Sequence, residues 1–193
     1  MQQWASKKHT GFTIVELLIV IVVIAILAAI TIVAYTGIQQ RANNTAIIDG
    51  VGKIKRMVEA YVAANNEYPY LGEAEVVCVT TDSSCRRNSG PVAATPAFDA
   101  AMATIGSVPR SVPLASSVRG GVNYQYKAAR TVDGVSAPVV LIYYIIGPNA
   151  SCGYPVLNTD NNTATTISAP YSIGDVNGSG STYCVVSVNG PGV

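Results

Sequence analysis

The stretch of sequence that decides the fold is FTIVELLIVIVVIAILAAITIVAY, which runs from Phe12 to Tyr35. Only Thr13, Glu16 and Thr31 interrupt this apolar run, and it contains neither glycine nor proline. Its 24 residues, at about 1.5 Å each in a helix, span roughly 36 Å, which exceeds the ~30 Å hydrocarbon core of a bilayer. The length therefore predicts a membrane-spanning helix rather than a strand, despite the many β-branched residues.

The flanking charges predict how this helix is oriented. Lys7 and Lys8 precede the run, and the next cation is Arg41. The positive-inside rule therefore places the N-terminus in the cytoplasm and the rest of the chain outside. A cleaved secretory signal peptide is the first alternative, because 14 unbroken apolar residues extend from Leu17 to Ile30. The apolar run continues past Ile30 without a clear small-x-small cleavage site, which argues against a cut beyond it.

Glu16 is the one charged residue inside the apolar run. An acid within a membrane costs a few kcal/mol and usually has a function and a partner. One interpretation places its carboxylate at the membrane interface, in contact with water. The other begins with a cut between Gly11 and Phe12, which gives Phe12 a free amine and makes Glu16 the fifth residue. Its carboxylate then suits the positive end of the helix dipole and can neutralise an amine of its own or a neighbouring chain.

The hexapeptide Gly11-Phe12-Thr13-Ile14-Val15-Glu16 resembles the cleavage motif of type IV prepilins. The short leader with its lysines and the long apolar run are similar to the same family, and the resemblance covers about the first 45 residues. It implies that a prepilin peptidase cuts after Gly11 and N-methylates Phe12. It also implies that Glu16 pairs with the terminal amine of the preceding subunit in a filament.

One feature departs from this family. Many type IVa pilins have glycine and proline within the helix, where this chain has Ala25 and Val33. Glycine lowers helix stability, and Gly37 is the first glycine after the apolar run. Any local unwinding is therefore expected near Gly37.

The sequence beyond the apolar run predicts that the helix continues. An apolar stripe with helical spacing is formed by Ile47, Val51, Ile54, Val58, Tyr61 and Val62. Gly50 and Gly52 interrupt this segment and predict a soft region. Asn65 and Asn66, followed by Pro69, predict the end of a helix that begins at Phe12 and reaches Ala64.

The remainder predicts a mixed head. Residues 67–120 contain five prolines and are expected to form an irregular connecting region, with a short helix at residues 96–102. Strands are predicted at residues 122–130, 138–146 and 181–188, with a weaker candidate at 165–173. We therefore expect an α+β, pilin-like fold in which the long helix packs on a three- to four-stranded antiparallel sheet. The predicted organisation is a leader at 1–11, a membrane or filament-core half of the helix at 12–36, and an extracellular head at 37–193.

All four cysteines follow the membrane segment, where the compartment is oxidising: Cys78, Cys85, Cys152 and Cys184. Four cysteines allow three pairings. Closure of local loops favours Cys78–Cys85 and Cys152–Cys184, and the second loop is similar to the C-terminal disulfide-bounded region of many type IV pilins. A four-cysteine zinc site is the alternative, but the paired C-x-x-C spacing of such sites is absent.

The segment before the last predicted strand has a pattern typical of calcium loops. It matches the first half of an EF-hand loop, but the twelfth position is Val186 instead of glutamate and no helices are predicted to flank it. A glycine-rich hairpin turn explains the same residues, so no metal or other cofactor is predicted. The alternative is a calcium site with these ligands: Asp175, Asn177, Ser179 and, as an extra ligand, Asp160.

Composition excludes several functional classes. The chain has 12 basic and 11 acidic residues, a formal net charge of +1, which argues against a nucleic-acid-binding protein. The only histidine is His9 in the leader, so a histidine-dependent catalytic or metal site would rest on the chain terminus. No phosphate-binding glycine loop and no nucleophile–base pair is recognisable, so we do not expect an enzyme. The 11 tyrosines are interpreted as strand packing rather than as an adhesive or DNA-stacking surface.

The resemblance implies a structural subunit of a type IV pilus, a filament used for adhesion, twitching motility or DNA uptake. The implied partners are other copies of the chain, the prepilin peptidase, the assembly platform, minor pilins and, before assembly, the membrane. The precursor is expected in the inner or cytoplasmic membrane and the assembled pilus at the cell surface. The alternatives are a minor pilin or pseudopilin of a type II secretion or competence system, and an uncleaved, membrane-anchored extracellular binding domain.

Overall fold

A computed structural model describes residues 11–73, 75–80, 85–87, 90–116, 119–168, 171–173 and 180–190. The chain divides into two compact units, Met1–Gln39 and Gln40–Val193. The helices are α1 (Ile14–Asn65), which includes residues of both units, and α2 (Pro96–Ala103). The strands, in chain order, are β1 (Val76–Cys78), β2 (Arg86–Arg87), β3 (Gly90–Pro91), β4 (Val122–Tyr126), β5 (Thr131–Val132), β6 (Val135–Ser136), β7 (Val139–Ile146), β8 (Val156–Leu157), β9 (Thr163–Ala164), β10 (Thr166–Ile167), β11 (Tyr171–Ile173) and β12 (Ser181–Ser187).

In the first unit, α1 exposes apolar side chains on all sides. The large apolar side chains from Phe12 to Ile38 are 48–82% exposed. Among the described residues, α1 is the one helix that is long and apolar enough to cross a membrane. A helix that is hydrophobic all round is stable only when lipid or other protein surrounds it.

The second unit contains a five-stranded antiparallel sheet with the strand order β1-β4-β7-β12-β11. Its centre is the pairing of β7 with β12, which extends from Ser181 opposite Ile146 to Ser187 opposite Val140. Strand β4 pairs with the other edge of β7. Smaller sheets join β2 to β3, β8 to β10, and β5 to β6 and β9. The predicted α+β class, with a long helix packed on an antiparallel sheet, is confirmed.

The predicted stripe on α1 forms one side of the core. Ile47, Val51, Ile54 and Val58 are at most 1% exposed, and they belong to one hydrophobic cluster with Leu141 and other residues of the sheet. The helix ends at Asn65, one residue beyond the predicted Ala64. The next residue, Asn66, has a φ of 55° and donates its N–H to the carbonyl of Val62 at 2.8 Å. This left-handed residue is typical of helix C-termini.

The opposite face of the sheet is also buried. Val140, Ile142 and Val185 pack in a second hydrophobic cluster with Leu157 and Ala164 from the connection between β7 and β11. Burial on both faces explains why β7 is apolar at consecutive positions rather than at alternate ones.

The region 67–120 is more ordered than predicted. It supplies the edge strand β1, which raises the number of strands in the sheet above the expected three to four. It also contains the expected short helix, α2, whose Phe98 and Met102 are completely buried. Strand β1 has only three residues, too few for a periodic pattern to identify it.

The strand predicted at 122–130 ends at Tyr126, and a buried arginine explains the difference. Arg130 is fully buried and its Nη1 donates to the carbonyl of Pro138 at 2.7 Å and to that of Gln125 at 3.3 Å. Its Nη2 donates to the side chain of Gln125 and to the carbonyl of Asp160, both at 2.6 Å. Its Nε donates to the carbonyl of Asn161 at 3.2 Å. Burial lowers the pKa of Arg130, and five hydrogen bonds to oxygen compensate the buried cation.

The weaker strand candidate at 165–173 is divided between two sheets. Strand β10 pairs with β8, and β11 pairs with β12 at the edge of the main sheet. The two short strands therefore do not form the single strand that was expected.

Gly50 and Gly52 are close-packing positions on α1. Both are buried, and a Cβ atom added to Gly50 would lie 2.6 Å from Cγ1 of Val112. A Cβ at Gly52 would overlap the hydroxyl of Tyr154. Glycine here allows the chain that covers the helix to approach its backbone.

Candidate functional site

Gly11 and Phe12 lie directly before α1 and are exposed. Phe12 is 81% exposed, and a Cβ added to Gly11 would meet no heavy atom within 4 Å. A substituent on Gly11, next to the Gly11–Phe12 peptide bond, would therefore meet open space among the described residues. This is the bond predicted from the sequence to be the processing site.

The first turn of α1 carries a capping box formed by Thr13 and Glu16. The backbone N–H of Thr13 donates to Oε2 of Glu16 at 2.8 Å, and the hydroxyl of Thr13 donates to the same oxygen at 2.7 Å. In return, the backbone N–H of Glu16 donates to Oγ1 of Thr13 at 3.2 Å. Residues with this S/T-x-x-E spacing satisfy N–H groups that have no partner within a helix. The cap explains why α1 begins at Ile14.

The two oxygens of the Glu16 carboxylate have different surroundings. Oε2 accepts both hydrogen bonds from Thr13, whereas Oε1 accepts none from the described residues. A carboxylate can accept about four hydrogen bonds in total. Glu16 can therefore cap its own helix and still bind a cation or donor from outside the chain. Its position in the first turn is also the one that the helix dipole favours.

Two threonines in this half of α1 form hydrogen bonds within the helix. The hydroxyl of Thr31 donates to the carbonyl of Ala28, and that of Thr36 donates to the carbonyl of Val33, both at 2.9 Å. These hydrogen bonds to backbone carbonyls replace the hydrogen bonds that the hydroxyl groups would otherwise form with water. An apolar environment around this half of α1 therefore leaves neither threonine hydroxyl without a partner.

Sequence reasoning identified Gly11, Phe12 and Glu16 but missed the role of Thr13. The signal was present, because Thr13 and Glu16 have the spacing of a capping box immediately before an apolar run. The structure brings Thr13 and Glu16 together and places Gly11 and Phe12 just outside the helix.

The four cysteines form the two favoured disulfides, Cys78–Cys85 and Cys152–Cys184. The first joins β1 to the start of the β2–β3 hairpin, and the second joins the chain after β7 to β12. The hydroxyl of Tyr143 donates to the carbonyl of Cys152 at 2.6 Å, which fixes the second disulfide beside the central strand. Because all four sulfurs are paired, the alternative zinc site is excluded.

The calcium alternative falls mostly on Asp175, Asn177 and Ser179, which lie outside the described residues. Asp160 is described, and its carboxylate accepts a hydrogen bond from Nη2 of Arg87 at 2.9 Å. Burial would raise the pKa of Asp160, but the hydrogen bond and charge of Arg87 hold it below its ordinary value. In the described part of the chain, no three histidine, cysteine, aspartate or glutamate residues form a group that could hold a metal ion.

Helix α1 is joined to the sheet at the start of the second unit by polar contacts. The backbone N–H of Ile146, at the end of β7, donates to Oδ1 of Asn44 at 2.7 Å. Nδ2 of Asn44 and Nε2 of Gln40 each donate to the carbonyl of Ile146 at 2.9 Å. These contacts fix the position of the sheet along this part of the helix.

Comparison with protein families identifies the N-terminal segment. Residues 6–32 match the prokaryotic N-terminal methylation motif, which includes the predicted processing site and most of the apolar run. No solved structure gives a significant match to the chain.

Curated relatives come from filament and secretion systems. Over 62 residues the chain is 43% identical to the type IV wide pilus major component PilA4 of Thermus thermophilus. The matched segment covers 32% of this chain and 47% of that protein. It is 27% identical over 64 residues to the type II secretion system core protein G of Aeromonas hydrophila, covering 33% and 45% of the two chains. The same protein of Escherichia coli is 28% identical over 65 residues, covering 34% and 45%.

The chain spans about half the length of the curated relatives it matches. It carries the N-terminal methylation motif of prepilin-like proteins on a long helix that packs on an antiparallel sheet. It is therefore a protein similar to type IV pilins and type II secretion pseudopilins. These relatives are a pilus component and secretion-system core proteins, which agrees with the expectation of a structural protein rather than an enzyme.

Proposed function

We propose that this chain is a prepilin that is cut between Gly11 and Phe12, N-methylated at Phe12 and assembled into an extracellular type IV pilus. The observation that carries the proposal is the exposed Gly11–Phe12 bond, followed at once by a capped apolar helix that contains Glu16. In this proposal residues 1–11 are the leader, residues 12–36 form the filament core and residues 37–193 form the head.

The apolar half of α1 must stay out of water throughout assembly. Helices that leave the bilayer must exchange lipid contacts for contacts with the same segment of other copies. Glu16 would be costly in that core without a compensating positive charge. The methylated amine of Phe12 on the preceding subunit supplies this charge, and Oε1 of Glu16 remains available to bind it. The pairing favours one axial position of each subunit relative to the last.

Repetition of the same contact produces a fibre instead of a closed ring. A head-to-tail interface in which two different surfaces meet generates an open helical assembly when its rotation does not close. The heads face outward in the fibre. Before assembly, the precursor lies in the cytoplasmic membrane with its N-terminus in the cytoplasm. Besides further copies of the chain, the proposal requires a prepilin peptidase, an assembly platform and minor pilins. It requires no cofactor and no nucleic acid as a main ligand. The proposed functions of the assembled pilus are adhesion, twitching motility or DNA uptake.

The similarity to type II secretion core proteins favours a second candidate, a pseudopilin with the same processing. The two candidates differ in the assembled product. A major pilin forms long fibres at the cell surface without another major subunit, whereas a pseudopilin does not depend on such fibres for its role. Electron microscopy of cells that lack other pilin genes distinguishes them.

Substitution at the processing site tests the shared part of both candidates. Gly11→Val is expected to accumulate in the membrane fraction at the precursor mass and to abolish polymer, because the peptidase requires close approach to the backbone at the cut. Gly37→Val is the matched control, because Gly37 is also surrounded by open space but lies within α1. The control is expected to be processed normally. Normal amounts of polymer from the Gly11→Val chain would contradict the proposal.

A further inference from the structure

A groove of about 310 Å³ lies on the second unit, between α1 and the chain that follows α2. Its apolar lining includes Met57, Ile105 and Pro109, and α1 contributes Lys53 and Arg56. Positions 53, 56, 57 and 60 share one face of the helix, next to the stripe that packs on the sheet. The groove is therefore an apolar surface with two cations on one side.

The two cations of the groove have no counter-ion within the chain as described. Lys53 and Arg56 are exposed, and none of the ion pairs of the described residues includes either of them. The neighbouring Lys55, by contrast, pairs with Glu59. The groove thus presents positive charge that is available to an acidic partner.

An exposed segment after the end of α1 has the complementary character. We call Glu67, Leu71, Glu73 and Glu75 the acidic segment. Its three carboxylates are exposed, and Leu71 is 54% exposed between them. None of the three takes part in an ion pair among the described residues.

The carboxylates of the acidic segment are oriented by neutral donors. Glu67 accepts a hydrogen bond from the hydroxyl of Tyr61, and Glu73 accepts one from the backbone N–H of Ala128 at 2.9 Å. Glu75 accepts one from the hydroxyl of Tyr70. These bonds position the carboxylates without neutralising their charge.

We propose that the acidic segment of one copy of this chain docks into the groove of the next copy. Leu71 covers Met57 and Ile105, while Glu67 and Glu73 lie beside Lys53 and Arg56. The proposal rests on the proposed filament and names a contact between neighbouring heads. Because the acidic segment and the groove are different surfaces, the contact is head-to-tail and does not close on itself. Charge complementarity at such an interface mainly determines which partner and which register are selected.

Cysteine cross-linking tests the contact directly. Both disulfides use all four native cysteines, so introduced thiols are the only free ones. Ala60 lines the groove and Leu71 is the tip of the acidic segment, so the full chain is made with Ala60→Cys and Leu71→Cys together. Treatment of whole cells with a short bismaleimide is expected to give a ladder of covalent oligomers.

Two controls define what the ladder means. Co-expression of the Ala60→Cys and Leu71→Cys single variants is expected to stop at a covalent dimer, since each chain then carries one thiol. Val135→Cys combined with Leu71→Cys is the matched control, because Val135 is 64% exposed but belongs to neither surface. It is expected to give no ladder. Absence of cross-linking in the Ala60→Cys, Leu71→Cys chain would overturn the proposal.

Charge exchange provides the second arm of the test. Lys53→Glu with Arg56→Glu is expected to lower the ladder about tenfold, whereas Lys53→Arg with Arg56→Lys leaves it within about twofold. Adding Glu67→Lys and Glu73→Lys to the chain with Lys53→Glu and Arg56→Glu is expected to restore cross-linking. The pairing of these charges would be contradicted if Lys53→Glu with Arg56→Glu left the ladder undiminished. It would also be contradicted if the added Glu67→Lys and Glu73→Lys did not restore cross-linking.

The failure of this contact can be distinguished from the failure of the proposed function. Cross-linking in whole cells detects adjacent copies whether or not fibres form, and electron microscopy reports the fibres separately. Fibres without the ladder overturn the contact alone. A ladder without fibres supports the contact and contradicts the pilus.

Discussion

In the proposed function, Glu16 combines a local and an intermolecular role in one side chain. One carboxylate oxygen closes the capping box with Thr13, and the other accepts no hydrogen bond from the described residues. The sequence alone indicated the charge problem of an acid in an apolar helix. It also contained the capping-box spacing, so both roles could be predicted from residues 13–16.

Separate substitutions at Thr13 and Glu16 distinguish these two roles. Thr13→Ala removes the cap, which costs about 1 kcal/mol and so reduces polymer by at most about fivefold. Glu16→Ala removes the charge as well, and we expect normal membrane insertion but a loss of polymer greater than about tenfold. The measurement is the amount of sheared polymer relative to the chain in the membrane fraction. Equal losses from the two variants would mean that the cap, rather than the charge, controls assembly.

Arg130 is the residue whose role the sequence did not predict. It follows a strand-like alternation in residues 122–130, and nothing in that pattern distinguishes an exposed arginine from a buried one. Its five acceptors come from residues 125, 138, 160 and 161, which only the tertiary fold brings together. Such a network depends on loop conformations that local periodicity does not encode.

Loss of Arg130 is expected to destabilise the second unit strongly. Arg130→Ala removes five hydrogen bonds from this network, including those to the carbonyl groups of Asp160 and Asn161, at a cost of about 3 kcal/mol. Arg130→Lys restores the charge but not the forked donor geometry, so it recovers only part of the loss. Arg56→Ala is the exposed control, with a change of about 0.5 kcal/mol or less. Urea unfolding of the full chain in detergent, followed by the near-ultraviolet circular dichroism of its tyrosines, measures these differences. Stability unchanged by Arg130→Ala would contradict the assigned network.

At the scale of elements, α1 combines two types of helix in one hydrogen-bonded segment. Its first part is apolar on all sides, and its second part has a single buried stripe. Periodicity and length predicted both parts and the C-terminal end. The same reasoning joined β10 and β11 into one strand and did not identify the other short strands, because strands of two or three residues carry no recognisable period. The strands that it missed are β1, β2, β3, β5, β6, β8 and β9.

The two glycines Gly50 and Gly37 provide a matched test of packing on α1. Alanine favours a helix by up to about 1 kcal/mol relative to glycine. At Gly50 this gain is exceeded by the overlap of the new Cβ with Val112, since overpacking costs about 1–3 kcal/mol. We therefore expect Gly50→Ala to lower the melting temperature of the second unit by about 3 °C or more. Gly37→Ala meets no neighbouring atom and is expected not to lower it. Equal melting temperatures for the two variants would contradict the close-packing role of Gly50.

At the scale of the whole molecule, the two units have different requirements. The second unit buries its own core and is closed by two disulfides. The first unit leaves large apolar side chains exposed and needs a surrounding membrane or other copies of the chain. The sequence predicted this contrast from the apolar run alone. The layer that covers the outer face of the sheet could not be predicted, because its contacts join residues distant in sequence.

The proposed function requires that this chain is processed at Gly11 and then assembled through the helix that begins just after Phe12. The most direct measurement is the intact mass and the N-terminal peptide of the native protein in a sheared surface fraction. We expect a chain that begins at Phe12, carries one added methyl group on its terminal amine and retains both disulfides. A chain that begins at Met1 and remains in the membrane fraction would contradict it, since the apolar helix would then be a permanent anchor.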